Sequence, residues 1–183
     1  TLWHTLSLHD ALPISDVHSS IIHKINQNIN MKTHTVLIAK EGYGKSSVLN
    51  YIKEKNKNCL YISFLNSKAD ILEIIEQLYD RGCYKDEEDF TALKKRLYKI
   101  PIIKIIEDLD KNIANNYTLI IDDISDLTKK NKKIFYKLSN YFTIITSSEV
   151  KHEIILDKFE KIELNLLSRK DTILLINSII NPD

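Results

Sequence analysis

The apolar positions of this chain recur with two alternating periods. From Ile21 they fall at helical spacing, Ile21, Ile22, Ile25 and Ile29, and then close into the run Thr35-Val36-Leu37-Ile38, which predicts a buried strand. Val48, Leu49 and Ile52 give the inner face of a second helix, begun at Ser46-Ser47, and Cys59 to Phe64 predict a second strand. Ile71, Leu72, Ile74, Ile75 and Leu78 form a helical stripe, and Phe90, Leu93 and Leu97 form another. Pro101 suits the first turn of a helix, so one helix is predicted from there with Ile105, Ile106, Leu109 and Ile113 inside it. Tyr117 to Ile121 predict a third strand, Leu138 closes a Lys-rich helix, Phe142 to Thr146 predict a fourth strand, and Ile162, Leu164 and Leu166 mark a fifth. Ser168, with Asp171 three residues on, fits a capping box for a last helix carrying Leu175, Ile176 and Ile179. Strands separated by helices imply right-handed crossovers and a mostly parallel five-stranded sheet in a three-layer α/β/α sandwich, with ligand at the C-terminal edge of the strands.

Glycine usage sharpens the picture. Of 3 glycines in 183 residues, Gly42 and Gly44 both stand in Ala39-Lys40-Glu41-Gly42-Tyr43-Gly44-Lys45-Ser46, directly after the first predicted strand. A chain so poor in glycine places it where backbone shape demands it. The pattern small-x-x-x-x-Gly-Lys-Ser, set between a strand and an amphipathic helix, is that of a phosphate-binding P-loop, with Ala39 where the commonest form has glycine. Gly42 and Gly44 can take positive φ and turn successive N–H groups, those of Lys40, Glu41 and Tyr43 among their neighbours, into a concave nest. Lys45 offers a cation to the β- and γ-phosphates. The Ser46 hydroxyl can ligate Mg²⁺, and the helix begun at Ser46-Ser47 aims its positive end at the same anion.

A second segment complements the first. Tyr117-Thr118-Leu119-Ile120-Ile121-Asp122-Asp123 is an apolar strand ending in two adjacent carboxylates, the form of a Walker B motif. At that strand end Asp122 would hold Mg²⁺ through water, and Asp123 would orient or deprotonate the attacking water. Alone, Asp-Asp after a strand reads as a turn or helix cap. Beside a P-loop it reads as the acidic half of an ATP site.

The first residues are set apart. Thr5-Leu6-Ser7-Leu8-His9-Asp10-Ala11-Leu12-Pro13-Ile14 is the translation of ACTCTTTCCCTACACGACGCTCTTCCGATC, which resembles a common sequencing-library adapter. Residues 1–15 are therefore expected to be an adapter or assembly artefact, and 16–183 the P-loop core domain. Trp3, the chain's single tryptophan, lies in the excluded part.

Lys+Arg 26 against Asp+Glu 25 leaves a formal net charge of +1, so nothing global demands nucleic acid or an anionic membrane. Cys59 and Cys83 have neither a disulfide framework nor metal-ligand spacing; Cys59 is expected to be a small core residue, and a reducing cytoplasm fits. No apolar run approaches the roughly 20 residues that would span a bilayer. Lys129, Lys130, Lys132 and Lys133 form a basic run without interleaved aromatics, which reads as a solvated helix start before it reads as a nucleic-acid surface.

From about Ile21 to Ile180 the chain resembles the P-loop ATPases of the AAA+ and STAND group, including its archaeal ATPase and origin-recognition branches. The residues that carry the resemblance are the Ala39-to-Ser46 loop with Ser47-Val48-Leu49, the Ile120-Ile121-Asp122-Asp123 strand end, the Ile144-Ile145-Thr146-Ser147 strand end and the Leu166-Leu167-Ser168 helix start. The resemblance implies ATP and Mg²⁺ as cofactors and a sensor at Thr146 or Ser147 that hydrogen-bonds the γ-phosphate or the lytic water. Signalling STAND proteins usually carry an arginine close after this threonine, where this chain has Ser148. The resemblance also implies a helical lid beyond Ile180, so the chain is expected to be a fragment whose full-length form has an effector domain or assembles as a homo-oligomer. Arg81, Arg96 and Arg169 are the only arginines, none near the expected finger position, so the isolated chain is expected to be a slow ATPase or a binder.

Competing classes differ in what they require. A small-molecule or nucleotide kinase also has a P-loop but usually brings several lid arginines to the phosphoryl group. A GTPase needs an Asn-Lys-x-Asp segment, and Asn66-Ser67-Lys68-Ala69-Asp70 has the wrong order; an ABC-type ATPase needs a Ser-Gly-Gly-Gln signature. A non-hydrolysing switch or scaffold that binds ATP to fix its shape remains a full alternative.

Overall fold

A computed structural model describes residues 18–83, 90–149, 157–166, 168 and 173. In chain order its elements are α1 (Ser19–Asn30), β1 (Thr35–Ile38), α2 (Lys45–Lys55), β2 (Cys59–Ile62), α3 (Lys68–Asp80), α4 (Phe90–Leu97), α5 (Ile102–Glu107), α6 (Lys111–Ala114), β3 (Thr118–Asp123), α7 (Lys129–Leu138), β4 (Thr143–Ser148) and β5 (Glu160–Glu163). The strands form one five-stranded sheet in the order β2-β3-β4-β1-β5. Every pairing is parallel, with Val36 opposite Thr146 and Lys161, Leu60 opposite Leu119, and Ile120 opposite Ile145.

Parallel strands covered on both faces need apolar side chains at successive positions, and the period of two then sorts them between two cores. Val36 and Ile38 enter one core with Leu60, Ile62, Leu119, Ile121 and Ile144, packed against α3, α4, α5 and α7 through Ile71, Leu93, Ile105 and Phe135. Leu37 and Ala39 enter the other with Cys59, Ile120, Ile145 and Ile162, packed against α1 and α2 through Ile25, Val48, Leu49 and Ile52. Helix, sheet and helix make three layers, the α/β P-loop NTPase-like class that the sequence predicts. Cys59 is a small core residue as expected: burial pushes its thiol up to about 11, and both cysteines are free.

The edge strand β2 is closed off by side chains from α3. Gln77 Oε1 accepts from the Tyr61 N–H at 2.9 Å while its Nε2 donates to the Tyr61 carbonyl at 2.7 Å, and Arg81 Nη2 donates to the Cys59 carbonyl at 2.7 Å. These bonds satisfy groups that β3 does not use and leave no bare row to recruit another strand. Each contributes about 1 kcal/mol net.

Five elements differ from the sequence prediction, among them β3, which starts at Thr118 and runs on through Asp123. The single helix expected after Pro101 is two, because the Asp110 carboxylate accepts from the Asn112 N–H at 2.8 Å and starts a new helix. Pro101 itself caps α5, and Ala114 rather than Ile113 is the buried residue of α6. β2 ends at Ile62, which leaves Phe64 57% exposed. β4 runs on through Ser147 and Ser148, and β5 stops at Glu163: Leu164 is still buried and donates its N–H to Ile38 at 2.9 Å, but Leu166 is 69% exposed. The expected last helix with Leu175, Ile176 and Ile179, and residues 1–15, lie outside the described residues. Among the described residues no helix is long and apolar enough to cross a membrane.

Candidate functional site

Since all five strands are parallel, their C-terminal ends share one edge, and three of them deliver residues to it. β1 ends in the Ala39–Gly44 loop, β3 in Asp122 and Asp123, and β4, which lies between them, in Ser147 and Ser148. The Ala39 N–H donates to the Ser148 carbonyl at 3.2 Å and fastens the start of the loop to the end of β4. A cavity of about 820 Å³ opens there, lined by Glu41, Gly42, Gly44, Lys45, Ser46, Ser47, Asp122, Asp123 and Ser147 among the expected residues.

Gly42 and Gly44 have φ of +80° and +84°, a region that side chains with a Cβ rarely adopt. An added Cβ at either would meet nothing within 4 Å, so it is the backbone conformation that requires glycine and the space above the loop is open. Gly44 is the N-cap of α2, with no side chain capping it, and the first helical bond runs from the Val48 N–H to the Gly44 carbonyl at 3.0 Å. The first-turn N–H groups therefore have no intrahelical partner and present partial positive charge to the cavity. Lys40 is exposed away from the lining, and Tyr43 packs its ring against the core that holds Ala39.

Lys45 Nζ donates to the Ala39 carbonyl at 2.7 Å and the Lys40 carbonyl at 3.1 Å, and stands 3.6 Å from Glu149 Oε1. Its ammonium sits beneath the loop at the mouth of α2.

The two carboxylates share the cavity for a reason the sequence hides. Adjacent residues of a regular strand face opposite sides of the sheet. Here the β3–β4 register shifts between Ile121 and Asp123: Ile121 pairs with Thr146, but Asp123 pairs with Ser147. The irregularity inserts Asp122 and lets both acids line one cavity, as strand bulges re-aim side chains elsewhere. Thr146 serves this break. Fully buried, it donates Oγ1 to the Ile121 carbonyl at 2.7 Å and is not among the lining residues. Ser147 does line the cavity; its Oγ donates to the Asp122 carbonyl and lies 3.4 Å from Asp122 Oδ1.

Asp122 Oδ2 accepts from the Tyr61 hydroxyl at 3.0 Å. Burial first, and then the Asp122 carboxylate, push that hydroxyl up to about 12, so it stays a neutral donor throughout the ordinary pH range. Asp123 Oδ1 accepts from both the N–H and the Oγ of Ser125, at 2.9 and 2.8 Å, in an Asx turn that fixes its rotamer. Tyr61, Ser125, Asp126, Glu149, Ser63 and Phe64 were not expected from the sequence. The Asp-x-Ser spacing could have suggested Ser125, and Glu149 directly follows a strand whose end was known to matter; the others are placed by tertiary structure alone.

A cationic ammonium, first-turn amides and positive-φ glycines face a hydroxyl and two carboxylates. Such a set suits a phosphate chain on one side and a hard divalent ion on the other, with Ser46 and Asp122 as oxygen donors. Among the described residues no cluster of three or more His, Cys, Asp and Glu could hold a metal by itself. An ion here would need phosphate oxygens as ligands, which is the usual way Mg²⁺ is held.

No protein-family model matches the chain, and no curated protein matches it. Among solved structures it is similar to a signal transduction ATPase with numerous domains (STAND) protein with a tetratricopeptide repeat sensor from Pyrococcus horikoshii, at 17% identity and a TM-score of 0.42 over 85% of this chain. The chain spans 25% of that protein's length.

Proposed function

We propose that this cavity binds Mg-complexed ATP and that the domain hydrolyses it slowly, as the nucleotide-driven switch or motor module of a larger protein. One observation carries the reading: the glycine loop with Lys45 and the paired carboxylates of β3, far apart in sequence, line the same cavity. In this reading the nest of Ala39 to Gly44 and the amides of Lys45, Ser46 and Ser47 hold phosphate oxygens. Lys45 neutralises the β- and γ-phosphates, and Ser46 and Asp122 hold the metal, whose chemistry is to polarise the phosphoryl oxygens. Asp123 orients the water, and Ser147, being in the cavity, is the better placed of the two sensor candidates.

A second reading, a non-hydrolysing ATP switch or scaffold, is favoured by two details. Ser125 occupies one oxygen of Asp123. Among the described residues none in the lining is an arginine that could balance transition-state charge, which also counts against a kinase. Titration calorimetry and a turnover assay on the whole chain test both. Saturable binding of Mg-ATP, weakened about tenfold or more by a chelator, supports the site; measurable phosphate release selects the ATPase over the scaffold. Absence of binding at millimolar nucleotide would remove the proposal.

A further inference from the structure

Among the described residues Lys45 is the one basic member of a cavity lining that also holds Glu41, Asp122, Asp123, Asp126 and Glu149. An ammonium has three N–H donors. Two go to the Ala39 and Lys40 carbonyls at 2.7 and 3.1 Å, and Glu149 Oε1 stands at ion-pair distance, 3.6 Å from Nζ. The Lys45 side chain is 11% exposed and that of Glu149 47%, so the lysine is enclosed while the glutamate sits on the solvent side of the pair. Glu149 is also anchored. Its N–H donates to Ser125 Oγ at 3.1 Å, and the same hydroxyl donates to Asp123 Oδ1 at 2.8 Å. A single serine thus sets both the water-side carboxylate and the residue that occupies the lysine.

We propose that Glu149 lowers the affinity of the cavity for polyphosphate by occupying Lys45, so that an incoming phosphate chain must displace the Glu149 carboxylate before it can be held. The inference rests on the polyphosphate reading of the cavity and assigns to it an affinity-setting residue. Of the three partners of Lys45, Glu149 is the one that yields. The two carbonyls belong to the loop that forms the nest, whereas the glutamate is a half-exposed side chain at a longer distance, and ion pairs of that kind are weak. Its displacement exchanges one anion for another on the same cation. A phosphate that arrives while the carboxylate is in place also meets a like charge.

The test is titration calorimetry with two probes, inorganic triphosphate plus Mg²⁺ and Mg-ATP, on the whole chain. Glu149→Gln should bind both about three- to tenfold more tightly than the wild type, as losing one half-exposed ion pair and one like-charge repulsion implies. Glu149→Ala keeps the backbone N–H to Ser125 and should show the same gain. Asp126→Asn removes an equal charge from the same lining without touching Lys45 and should gain less than about twofold. Equal gains for Asp126→Asn and Glu149→Gln would assign the effect to the overall field of the cavity and overturn the specific role of Glu149. Wild-type binding with no tightening in either Glu149 variant overturns this inference alone. No binding by the wild type or by either Glu149 variant overturns it together with the polyphosphate reading.

Discussion

Lys45→Ala is expected to weaken Mg-ATP binding by about 3–4 kcal/mol, on the order of several hundred-fold, because it truncates one partner of an enclosed charge-assisted contact. The side chain has 11% exposure, and among the described residues its ammonium is the sole cation of the lining. The fold should survive. The two carbonyls that Lys45 serves belong to Ala39 and Lys40 at the loop, outside both hydrophobic cores except for Ala39 itself, and the far-ultraviolet circular dichroism should match the wild type. A folded variant that keeps its affinity within a few-fold would show that phosphate does not sit at this loop.

The two carboxylates of β3 should separate by function. Asp123→Asn is expected to leave Mg-ATP binding within a few-fold and to slow phosphate release by about a hundredfold or more, the contribution of a group that orients or activates water. Asparagine keeps an oxygen for the Ser125 N–H and hydroxyl, so the Asx turn and the local backbone are retained. Asp122→Asn should act on the metal instead and weaken the Mg²⁺ dependence of binding by about 10- to 100-fold, as loss of a water-mediated ligand does. It also leaves the Tyr61 hydroxyl an acceptor oxygen, which makes a folding defect a poor explanation for any loss. Equal losses of binding in both variants would merge the two roles into a single metal site.

The parts of this molecule that were legible in the sequence are those written in local patterns. β1 has the predicted bounds, Thr35–Ile38, because four successive apolar or β-branched residues between a helix and a glycine loop admit few other structures. Gly42 and Gly44 were legible because positive φ is a demand on residue type. The stretch after Pro101 was misread for a related reason: its apolar spacing continues across Leu109, and the competing signal, Asp110 capping a new helix, rests on one hydrogen bond. Strand ends were the other weak point. Leu166 alternates correctly with Ile162 and Leu164, yet it lies beyond the partner strand, since β1 offers its last ladder contact to Leu164 through the Ile38 carbonyl.

At the site, residue types were legible and their arrangement was not. Asp122 and Asp123 were found as a pair, but an unbroken strand would have sent them to opposite faces. The register shift against β4, with Thr146 bound to the Ile121 carbonyl, belongs to the pairing of two strands and has no signature in either alone. Thr146 and Ser147 were indistinguishable as sensor candidates for the same cause. Tyr61 was invisible because it matters through its contact with Asp122, and for Glu149 the sequence offered only its place after β4, since its contact with Lys45 exists only in the folded chain.

If the loop between β1 and α2 receives the phosphates of a nucleotide, as proposed, its amides must respond to one. Amide chemical shifts measured with and without Mg²⁺ and a non-hydrolysable ATP analogue test it most directly, since each N–H of the nest reports its own environment. The Gly42, Gly44, Lys45 and Ser46 amides should move most, those of Asp122 and Ser147 should follow, and a second groove, lined by Ile102 and Ile103 of α5 and Lys130 and Lys133 of α7, should stay still. Saturable shifts confined to that groove, with the Gly42 and Gly44 amides unmoved, would contradict it.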